Sequence, residues 1–464
     1  MRICLVLEGS YPYVHGGVST WMHQYIQAMP DIEFVIWSIC AKEENKGQYV
    51  YDLPENVVEV VEVSLEQEVE IGQPFNQADF TPAERSALRN LVFLQDLDWK
   101  VLFEILQEGR VQPSSFLESK FFYRCVEELC KERFVNISFS DVFHTVRSML
   151  FPLLHLLASP VPVADAYHSI STGYGGILAT LGSLSYEKPL LLTEHGIYTR
   201  EREEELLRAE WVPNSMKENW IRFFYFLSQA IYQEADAITS LFGNARLTQI
   251  ELGCSPEKTR VIPNGIDYPR FSGTPLKEED GWVDIGAVIR LSQIKDVKTL
   301  IYSFMELSQK LPHVRLHIMG GVDDPEYAQE CYQLVERLGL DRIIFTGRVD
   351  ILSYMEKLDM TVLSSLSEAQ PLSVLESLAA GRPSVTTDVG CCKELLEGTS
   401  DDLGQAGLVV PPTDASALAA ALSQLCQSKD LRLAFGAVGK KRVEDFYQYP
   451  KMIASYRALY KEFV

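Results

Sequence analysis

A strand, a polar turn and a helix follow one another between Met360 and Pro383, and this order favours a sheet of parallel strands. The apolar run Met360–Leu363 predicts a buried strand, and Leu372, Leu375 and Leu378 recur at the spacing of a helix. In an α/β sheet the turn between such a strand and helix lies at the carboxyl edge, where ligands bind. The sequence therefore predicts an α/β fold with a binding site in this turn.

The start of the predicted helix suits a phosphate group. The amides of Gln370, Leu372 and Ser373, with Pro371 among them, stand where backbone N–H groups have no partner within a helix. These groups and the helix dipole give the turn a partial positive charge. We therefore expect this turn to bind an anion.

Two carboxylates flank these amides. Glu368 precedes the helix and Glu376 lies inside it, eight positions later. A carboxylate can accept hydrogen bonds from two adjacent hydroxyl groups, so one glutamate can hold a sugar ring and the other a ribose, with a diphosphate between them. The alternative is a surface helix with two solvated glutamates, which would need no function.

The glutamates and the residues after them match a known signature. Glu368, seven intervening residues and Glu376 are followed by Ala-Ala-Gly-Arg-Pro, a pattern that resembles the family-four retaining glycosyltransferases of the GT-B fold. The resemblance implies two Rossmann-like α/β domains that face each other across a cleft. It also implies a UDP-sugar in the C-terminal domain, with Glu368 at the sugar and Glu376 at the ribose.

Basic residues and a histidine extend this resemblance. Arg290 and Lys295, five positions apart across a predicted strand-to-helix turn, can converge on one anion, and the resemblance assigns them to the departing diphosphate. His195 follows the predicted strand Leu190–Thr193, and a matching histidine in the family meets the donor sugar near its diphosphate. The resemblance thus implies that His195, Arg290, Lys295 and Glu368 are catalytic.

Two further loops complete the predicted donor site. Gly16 and Gly17 lie between the first predicted strand and a helix, where family members pass the backbone over the donor diphosphate and the acceptor. Arg348 and Val349 follow a predicted strand at the position where the family seats the uracil base on main-chain atoms.

No metal ion is expected at this site. Asp323-Asp324 suggests an Asp-x-Asp metal clamp, but the pair precedes a helix and is far from Glu368 in the sequence. Two cations and the helix amides can already balance the negative charge of the diphosphate. The sequence therefore predicts no cofactor, only a UDP-sugar as donor substrate.

The sequence predicts two domains and one addition. The N-terminal domain is expected over residues 1–272 and the C-terminal domain over 273–450, because a polar, acidic segment with Gly and Pro lies between them. The last helix, 451–464, is expected to cross back to the N-terminal domain, as is common in the GT-B fold.

The run Glu201–Tyr232 predicts a helix.

A helical insertion is predicted in the N-terminal domain at about 66–159. Thr81 and Glu84 form the pattern of a capping box with Pro82 at the first helical position, and further helical patterns follow. The insertion resembles the extra N-terminal region of glycosyltransferases of the Pel exopolysaccharide pathway. It is either an elaboration of the packing or a surface for an acceptor or partner.

Composition limits the class of partner and the compartment. With 464 residues and 47% hydrophobic composition, the chain can bury more than one core. Its net charge of −22 disfavours a nucleic-acid partner and an anionic membrane surface. No apolar run approaches the roughly 20 residues of a membrane span. The nine cysteines are scattered without paired spacings, which indicates reduced thiols rather than disulfides. The expectation is a cytoplasmic protein, recruited by partners to the cytoplasmic face of the inner membrane.

Together these features predict a retaining hexosyltransferase. The donor is expected to be UDP-glucose or a UDP-N-acetylhexosamine, and the acceptor a growing exopolysaccharide, Pel in the more specific resemblance. Partners in an inner-membrane polysaccharide synthesis complex are expected. Two alternatives stay open: a UDP-sugar epimerase of similar fold, and a non-catalytic UDP-sugar-binding assembly subunit.

Overall fold

The computed structural model describes residues 1–66, 74–399 and 401–464. The chain divides into two compact units. The first contains residues 1–240, 246–260 and 458–464, and the second contains residues 241–245 and 261–457.

The first unit is built on a seven-stranded sheet in the order β3-β2-β1-β4-β5-β6-β7. Its assigned registers, from β3 across to β6, are parallel. The order reverses between β1 and β4, which creates a crevice at their carboxyl ends. The strands are β1 Arg2–Glu8, β2 Glu33–Cys40, β3 Val57–Ser64, β4 Ala166–Ser169, β5 Leu190–Glu194, β6 Ala237–Ser240 and β7 Thr259–Val261.

Most helices of this unit pack on the sheet or extend its core. They are α1 Gly17–Gln27, α2 Pro82–Phe93, α3 Trp99–Gln107, α4 Pro113–Leu117, α5 Lys120–Arg133, α6 Phe139–Leu157, α7 Gly173–Tyr186, α8 Tyr198–Arg208, α9 Lys217–Glu234 and α10 Gly243–Glu251, whose first residues belong to the second unit. Short 3-10 turns lie at Glu43–Asn45, Gln77–Asp79 and Asn214–Met216.

In the described part of the segment between β3 and β4, where the helical insertion is predicted, stand five helices, α2 to α6. The predicted capping box is confirmed, because the Thr81 side chain accepts from the Glu84 amide and the Glu84 carboxylate accepts from the Thr81 amide. Side chains such as Leu91 and Leu153 share one buried cluster with Trp37 of the sheet. The first part of the predicted insertion, 67–73, lies outside the described residues.

The helix predicted over Glu201–Tyr232 is interrupted. The structure has α8 up to Arg208 and α9 from Lys217, with a non-helical segment and a 3-10 turn between them. Pro213 stands in this segment, and a proline disfavours helical backbone at the residue before it. The prediction missed the break because apolar spacing continues on both sides of it.

The second unit is built on a six-stranded parallel sheet in the order β10-β9-β8-β11-β12-β13. The order reverses between β8 and β11, so these two strands border the crevice of this sheet. The strands are β8 Val283–Val288, β9 Val314–Met319, β10 Ile343–Gly347, β11 Met360–Leu363, β12 Ser384–Thr387 and β13 Gly407–Val410. The prediction of two parallel, Rossmann-like α/β sheets is confirmed.

Nine helices of the described chain follow α10. They are α11 Tyr268–Ser272, α12 Val297–Lys310, α13 Pro325–Leu338, α14 Ile351–Met355, α15 Leu372–Ala379, α16 Cys392–Glu397, α17 Ala415–Gln427, α18 Lys429–Phe446 and α19 Tyr449–Phe463, with a 3-10 turn at Gln293–Lys295. The last residues of α19 belong to the first unit. There, the Tyr460 hydroxyl lies 2.7 Å from the Tyr25 hydroxyl and 2.7 Å from Nδ1 of His168.

Arg382 of the Ala-Ala-Gly-Arg-Pro run is a structural residue. Its side chain is buried, and its guanidinium donates to the backbone oxygens of Leu358, Ala380 and Pro275. Because a buried charge needs such partners, this arginine fixes the segments around the end of α15. In the described residues, no helix has the length and apolar character needed to cross a membrane.

Candidate functional site

The candidate site lies at the crevice of the second sheet. The loop after β8 carries Arg290 and Lys295, and the loop after β11 carries Glu368 and leads into α15. Main-chain and side-chain bonds join the two loops, since the Leu366 amide donates to Ile294 oxygen at 2.8 Å and the Ser364 hydroxyl donates to Lys295 oxygen at 2.8 Å. The fold thus brings together residues that are about 70 positions apart in the chain.

Lys295 and Glu368 form a close ion pair inside this crevice. The Lys295 ammonium donates to Oε1 of Glu368, and the Ser365 hydroxyl donates to the same oxygen at 2.6 Å. Both side chains are largely buried, at 18% and 13% exposure. Two charges held together in this way leave Oε2 of Glu368 and further N–H groups of Lys295 to meet a ligand. Ser365 had no assignment from the sequence, although the serines around Leu366 were a visible signal.

The loop that carries Glu368 rests on Gly390, which follows β12. Gly390 has φ of +55°, and a Cβ at this position would lie 2.2 Å from Glu368 oxygen and 2.3 Å from Ala369 oxygen. The Cys391 amide donates to Ala369 oxygen at 3.0 Å. Only glycine combines this backbone conformation with so close an approach. Gly390 therefore supports the shape of the loop, which sequence reasoning did not anticipate.

The start of α15 is open, as the sequence predicted. Pro371 precedes the helix without a side-chain cap, and Leu372 and Ser373 are its first two residues. The Gln370 side chain faces the other way, because its Oε1 accepts from the Asn264 amide at 2.7 Å. The amides at the helix start, rather than the Gln370 side chain, are thus the groups suited to a phosphate.

Glu376 is largely buried one turn into α15. Burial raises its pKa to about 7, and the nearby positive charge of Arg270 opposes this shift. A carboxylate that is poorly solvated gains most from hydroxyl donors on a ligand. This environment is compatible with the predicted contact to a ribose.

Arg290 forms an ion pair with Asp323, whereas Asp324 caps a helix. Arg290 is 62% exposed, and its Nη1 lies 2.5 Å from Oδ2 of Asp323. Asp324 caps α13 by accepting from the Tyr327 amide at 3.0 Å. Among the described residues, no group of three or more His, Cys, Asp or Glu side chains is arranged to hold a metal ion.

Arg348 and Val349 follow β10 at the same edge. The Arg348 side chain lies over Gly321, where a Cβ would come within 2.8 Å of its Nε. Val349 packs against a small apolar cluster that includes Met355 and Leu358. Main-chain bonds connect the ends of β8, β9 and β10, for example from the Gly320 amide to Gly347 oxygen at 2.9 Å.

The predicted residues of the first unit lie at the carboxyl edge of its own sheet. Gly16 precedes α1 with extended backbone, and Gly17 is the first residue of that helix. His195 follows β5, and its ring meets Trp21 of α1 edge-on, with ring centroids 4.5 Å apart. Burial lowers the His195 pKa to about 4, and Nε2 has no hydrogen-bond partner among the described residues. The neutral imidazole therefore has a buried ring nitrogen that no described residue satisfies.

Two buried carboxylates at this edge were not singled out in the sequence. Glu8 ends β1 and Glu194 ends β5, and burial raises the pKa of both, that of Glu194 to about 7. The Tyr198 hydroxyl donates to Glu8 at 2.8 Å, and the Tyr198 amide donates to Glu194 at 3.4 Å. Their position at strand ends was the available signal.

Two family models match the chain. The model described as "Domain of unknown function (DUF3492)" matches residues 1–257, and the one described as "Glycosyl transferases group 1" matches residues 283–428. The second match contains the loops of the candidate site.

Curated relatives are similar over part of the chain. The MMP alpha-(1->4)-mannosyltransferase of Mycolicibacterium hassiacum is 23% identical over 59% of this chain and 65% of its own. The N-acetyl-alpha-D-glucosaminyl L-malate synthase of Bacillus anthracis is 24% identical over 49% of this chain and 60% of its own. The chain thus spans less than two thirds of the length of these relatives.

A solved structure is similar over the whole chain. The Anabaena protein Alr3699/HepE in complex with UDP has a TM-score of 0.64 and 16% sequence identity, and the match covers 100% of each chain. Other crystal structures of that protein contain UDP and glucose, or UDP-glucose. At this identity the likeness establishes the fold.

Proposed function

The chain belongs to the family described as a domain of unknown function, DUF3492, and carries a group 1 glycosyltransferase domain, and from this premise we propose that it is a retaining glycosyltransferase with a UDP-sugar donor. The observation that carries the proposal is the gathering of Lys295, Glu368 and the open start of α15 at the crevice between β8 and β11. The UDP and UDP-glucose bound in structures of similar fold support the choice of nucleotide.

In this proposal the α15 amides and two cations stabilise the leaving diphosphate. Negative charge grows on the diphosphate as the bond to the anomeric carbon breaks, and fixed positive groups stabilise that state more than the ground state. Lys295 is well placed for this role because it already lies beside the α15 turn. Arg290 would leave Asp323 to join it.

The carboxylates are assigned to the two sugars of the donor. Glu376 accepts from the ribose hydroxyls, and Glu368 accepts from the transferred sugar through the oxygen that Lys295 and Ser365 leave free. Main-chain atoms near Arg348 and Val349 receive the uracil base. Gly16 and Gly17 line the path of the donor diphosphate and the acceptor.

His195 is the proposed contribution of the first unit to catalysis. Its neutral ring can accept or donate a hydrogen bond at Nε2, which suits a hydroxyl of the donor sugar. His195→Ala is expected to reduce sugar transfer while the dissociation constant of UDP stays unchanged. A wild-type transfer rate in this variant would remove His195 from the mechanism and leave it a packing partner of Trp21.

The acceptor is proposed to be an exopolysaccharide, with Pel as the specific candidate from the sequence resemblance. A protein of this kind would act in the cytoplasm, at the inner-membrane face, with membrane partners of a synthesis complex. The transferred sugar would be a hexose or an N-acetylhexosamine.

A donor panel tests the reaction. The purified protein is incubated with UDP-glucose, UDP-galactose, UDP-N-acetylglucosamine and UDP-N-acetylgalactosamine, with and without oligosaccharide acceptors. UDP release is measured, and the anomeric configuration of products is followed by NMR. Acceptor-dependent UDP release with retained configuration is expected for one donor.

The same panel separates the alternatives. An epimerase would convert the donor without a second substrate, and a non-catalytic subunit would bind UDP without turnover. An inverted product configuration would contradict the retaining mechanism even if transfer is observed.

A further inference from the structure

We propose that residues 198–211, α8 and the segment after it, form a binding surface for the acceptor glycan, with Trp211 as the platform on which one sugar ring stacks. We call this surface the α8 ledge. The inference rests on the proposed glycosyltransferase function and adds the place and chemistry of acceptor recognition.

The near end of the ledge is fixed to the edge of the sheet that carries His195. Tyr198, the first residue of α8, is bonded to Glu8 at the end of β1 and to Glu194 at the end of β5. Its ring lies on Gly173, where a Cβ would come within 2.4 Å of the ring atoms. Buried carboxylate partners and a required glycine make this attachment specific.

The far end of the ledge is held by α9, which runs antiparallel to α8. The Tyr225 hydroxyl donates to Glu203 at 3.0 Å, and the Lys217 ammonium donates to Leu207 oxygen at 2.7 Å. Trp211 meets Trp220 edge-on, with ring centroids 5.4 Å apart.

The ledge extends outward from the carboxyl edge of the sheet. Two residues separate the end of helix α9 from the start of β6, and a parallel strand starts at the amino edge of its sheet. Because α9 runs toward that edge, its first turns, and α8 beside them, stand at the opposite edge, where β1 and β5 end. Helix α8 is 11 residues long, so it reaches roughly 15 Å from Tyr198 at 1.5 Å per residue.

Trp211 is exposed despite this support. Its side chain is 68% exposed, and Leu207 on the last turn of α8 is 58% exposed. A tryptophan that is held in place but left in water loses the large apolar burial that this side chain normally provides. Tryptophan, with an apolar ring and one N–H donor, is enriched at surfaces that bind another molecule.

The polar groups around Trp211 suit a glycan rather than an anionic bilayer. Residues 199–211 contain five glutamates and three arginines, an excess of negative charge that disfavours an anionic bilayer. Exposed side chains such as Glu204 and Arg208 can accept from and donate to sugar hydroxyls. The indole face can pack against the C–H face of a sugar ring, so the ledge offers both kinds of contact that a glycan needs.

The length of the ledge gives the proposal a specific consequence. Trp211 stands far enough from Tyr198 that it would contact a sugar beyond the one that reacts. Long acceptors should therefore depend on Trp211, whereas a disaccharide should not.

The test compares Trp211→Ala and Trp211→Phe with Tyr302→Ala, which removes an exposed aromatic side chain from α12 of the second unit. Chitohexaose, cellohexaose and the matching disaccharides serve as probes. Binding is measured by calorimetry and by tryptophan fluorescence, and UDP binding is measured separately. We expect Trp211→Ala to weaken hexasaccharide binding roughly tenfold, Trp211→Phe to weaken it less, and both to keep the wild-type dissociation constant of UDP.

Several outcomes would contradict the proposed role of the α8 ledge. These are wild-type protein that binds UDP but neither hexasaccharide, a Trp211→Ala variant with unchanged hexasaccharide binding, or a Tyr302→Ala variant with the same loss as Trp211→Ala. Trp211-dependent flotation with vesicles of phosphatidylcholine and phosphatidylserine, in the absence of hexasaccharide binding, would identify a membrane contact instead. If the wild-type protein does not bind UDP at all, that result would contradict the proposed function rather than the role of the α8 ledge.

Discussion

Lys295 and Glu368, two predicted ligand-binding residues, form an ion pair with each other. Each satisfies the charge of the other in a largely buried place, with Ser365 as a third partner. Removal of one partner from such a pair leaves an uncompensated charge. The pair therefore has a structural role in addition to the catalytic one proposed for it.

Lys295→Ala is expected to lower kcat by roughly 10²- to 10³-fold, because the variant loses a positive group beside the leaving diphosphate. Turnover is measured by UDP release at saturating donor. Lys298→Ala is the control, since Lys298 lies three positions away and pairs with Glu330 on the exposed surface. A Lys295 variant that turns over as fast as the control would show that the diphosphate lies elsewhere.

Glu376 gives the site a pH-dependent stability. Its pKa is about 7 in the folded protein, whereas an ordinary glutamate in an unfolded chain has a pKa of about 4.3. Between these values the folded state binds more protons than the unfolded state, so this group lowers the free energy of unfolding as the pH rises from about 4 to 7.

Glu376→Gln should remove this effect. At pH 4, below both pKa values, the wild-type glutamate is largely neutral in the folded and in the unfolded chain, so the variant and the wild-type protein should melt at similar temperatures, whereas at pH 8 the variant should have the higher Tm. Thermal unfolding at both pH values measures this, with the exposed Glu336→Gln as the control. UDP should also bind the Gln variant more weakly at pH 8, since the ribose loses a charged acceptor. A Tm difference that does not change with pH would contradict the assignment.

At the scale of the elements, the turn after β12 determines where the β11–α15 loop lies. Gly390 brings its backbone against the oxygens of Glu368 and Ala369, so the β11–α15 loop is shaped by a neighbouring strand-to-helix turn. Packing of turns at one edge of a parallel sheet is what joins the separate loops into a site.

Gly390→Ala tests this role, and Gly381→Ala is its matched control. Both glycines have positive φ, but a Cβ at Gly381 meets no atom within 4 Å, whereas a Cβ at Gly390 would collide with the β11–α15 loop. Each variant should lose about 1 kcal/mol of stability from the left-handed backbone alone. Only Gly390→Ala should also lose UDP affinity, as measured by calorimetry. Equal UDP affinity in the two variants would show that the contact does not shape the site.

At the scale of the whole molecule, an acidic chain gathers basic groups at the candidate site. The protein has a net charge of −22, yet the candidate site collects Arg290, Lys295 and a helix start. Arg290 is paired with Asp323 and Lys295 with Glu368, so an anionic donor would replace these carboxylates as the partner of the two cations and would also meet the open amides of α15.

Because these groups supply the positive charge, we expect catalysis to proceed without a divalent metal. Metal-stripped protein in excess EDTA should retain most of its UDP-sugar turnover. An acidic protein also responds to ionic strength, so KCl at matched ionic strength is the control for any effect of added Mn²⁺ or Mg²⁺. Activity abolished by EDTA and restored by Mn²⁺, but not by KCl, would contradict this expectation and direct attention to Asp323 and Asp324.

Local patterns in the sequence determined the two parallel sheets, the capped helix at Thr81 and the open start of α15. Each depends on residues a few positions apart: apolar runs set strands, helical spacing sets helices, and a hydroxyl or proline sets a helix start. The positions of Arg290, Lys295, Glu368 and Glu376 at strand ends and in the following helix could likewise be predicted.

Only the tertiary structure decided which of these residues meet. Lys295 pairs with Glu368 and Arg290 with Asp323, Gly390 supports a loop from another strand, and Tyr198 joins the ends of β1 and β5. The break between α8 and α9, and with it the exposure of Trp211, was also hidden. The physical reason is that these contacts join segments distant in the chain, whose spacing depends on strand order and on the close packing of turns rather than on local sequence periodicity.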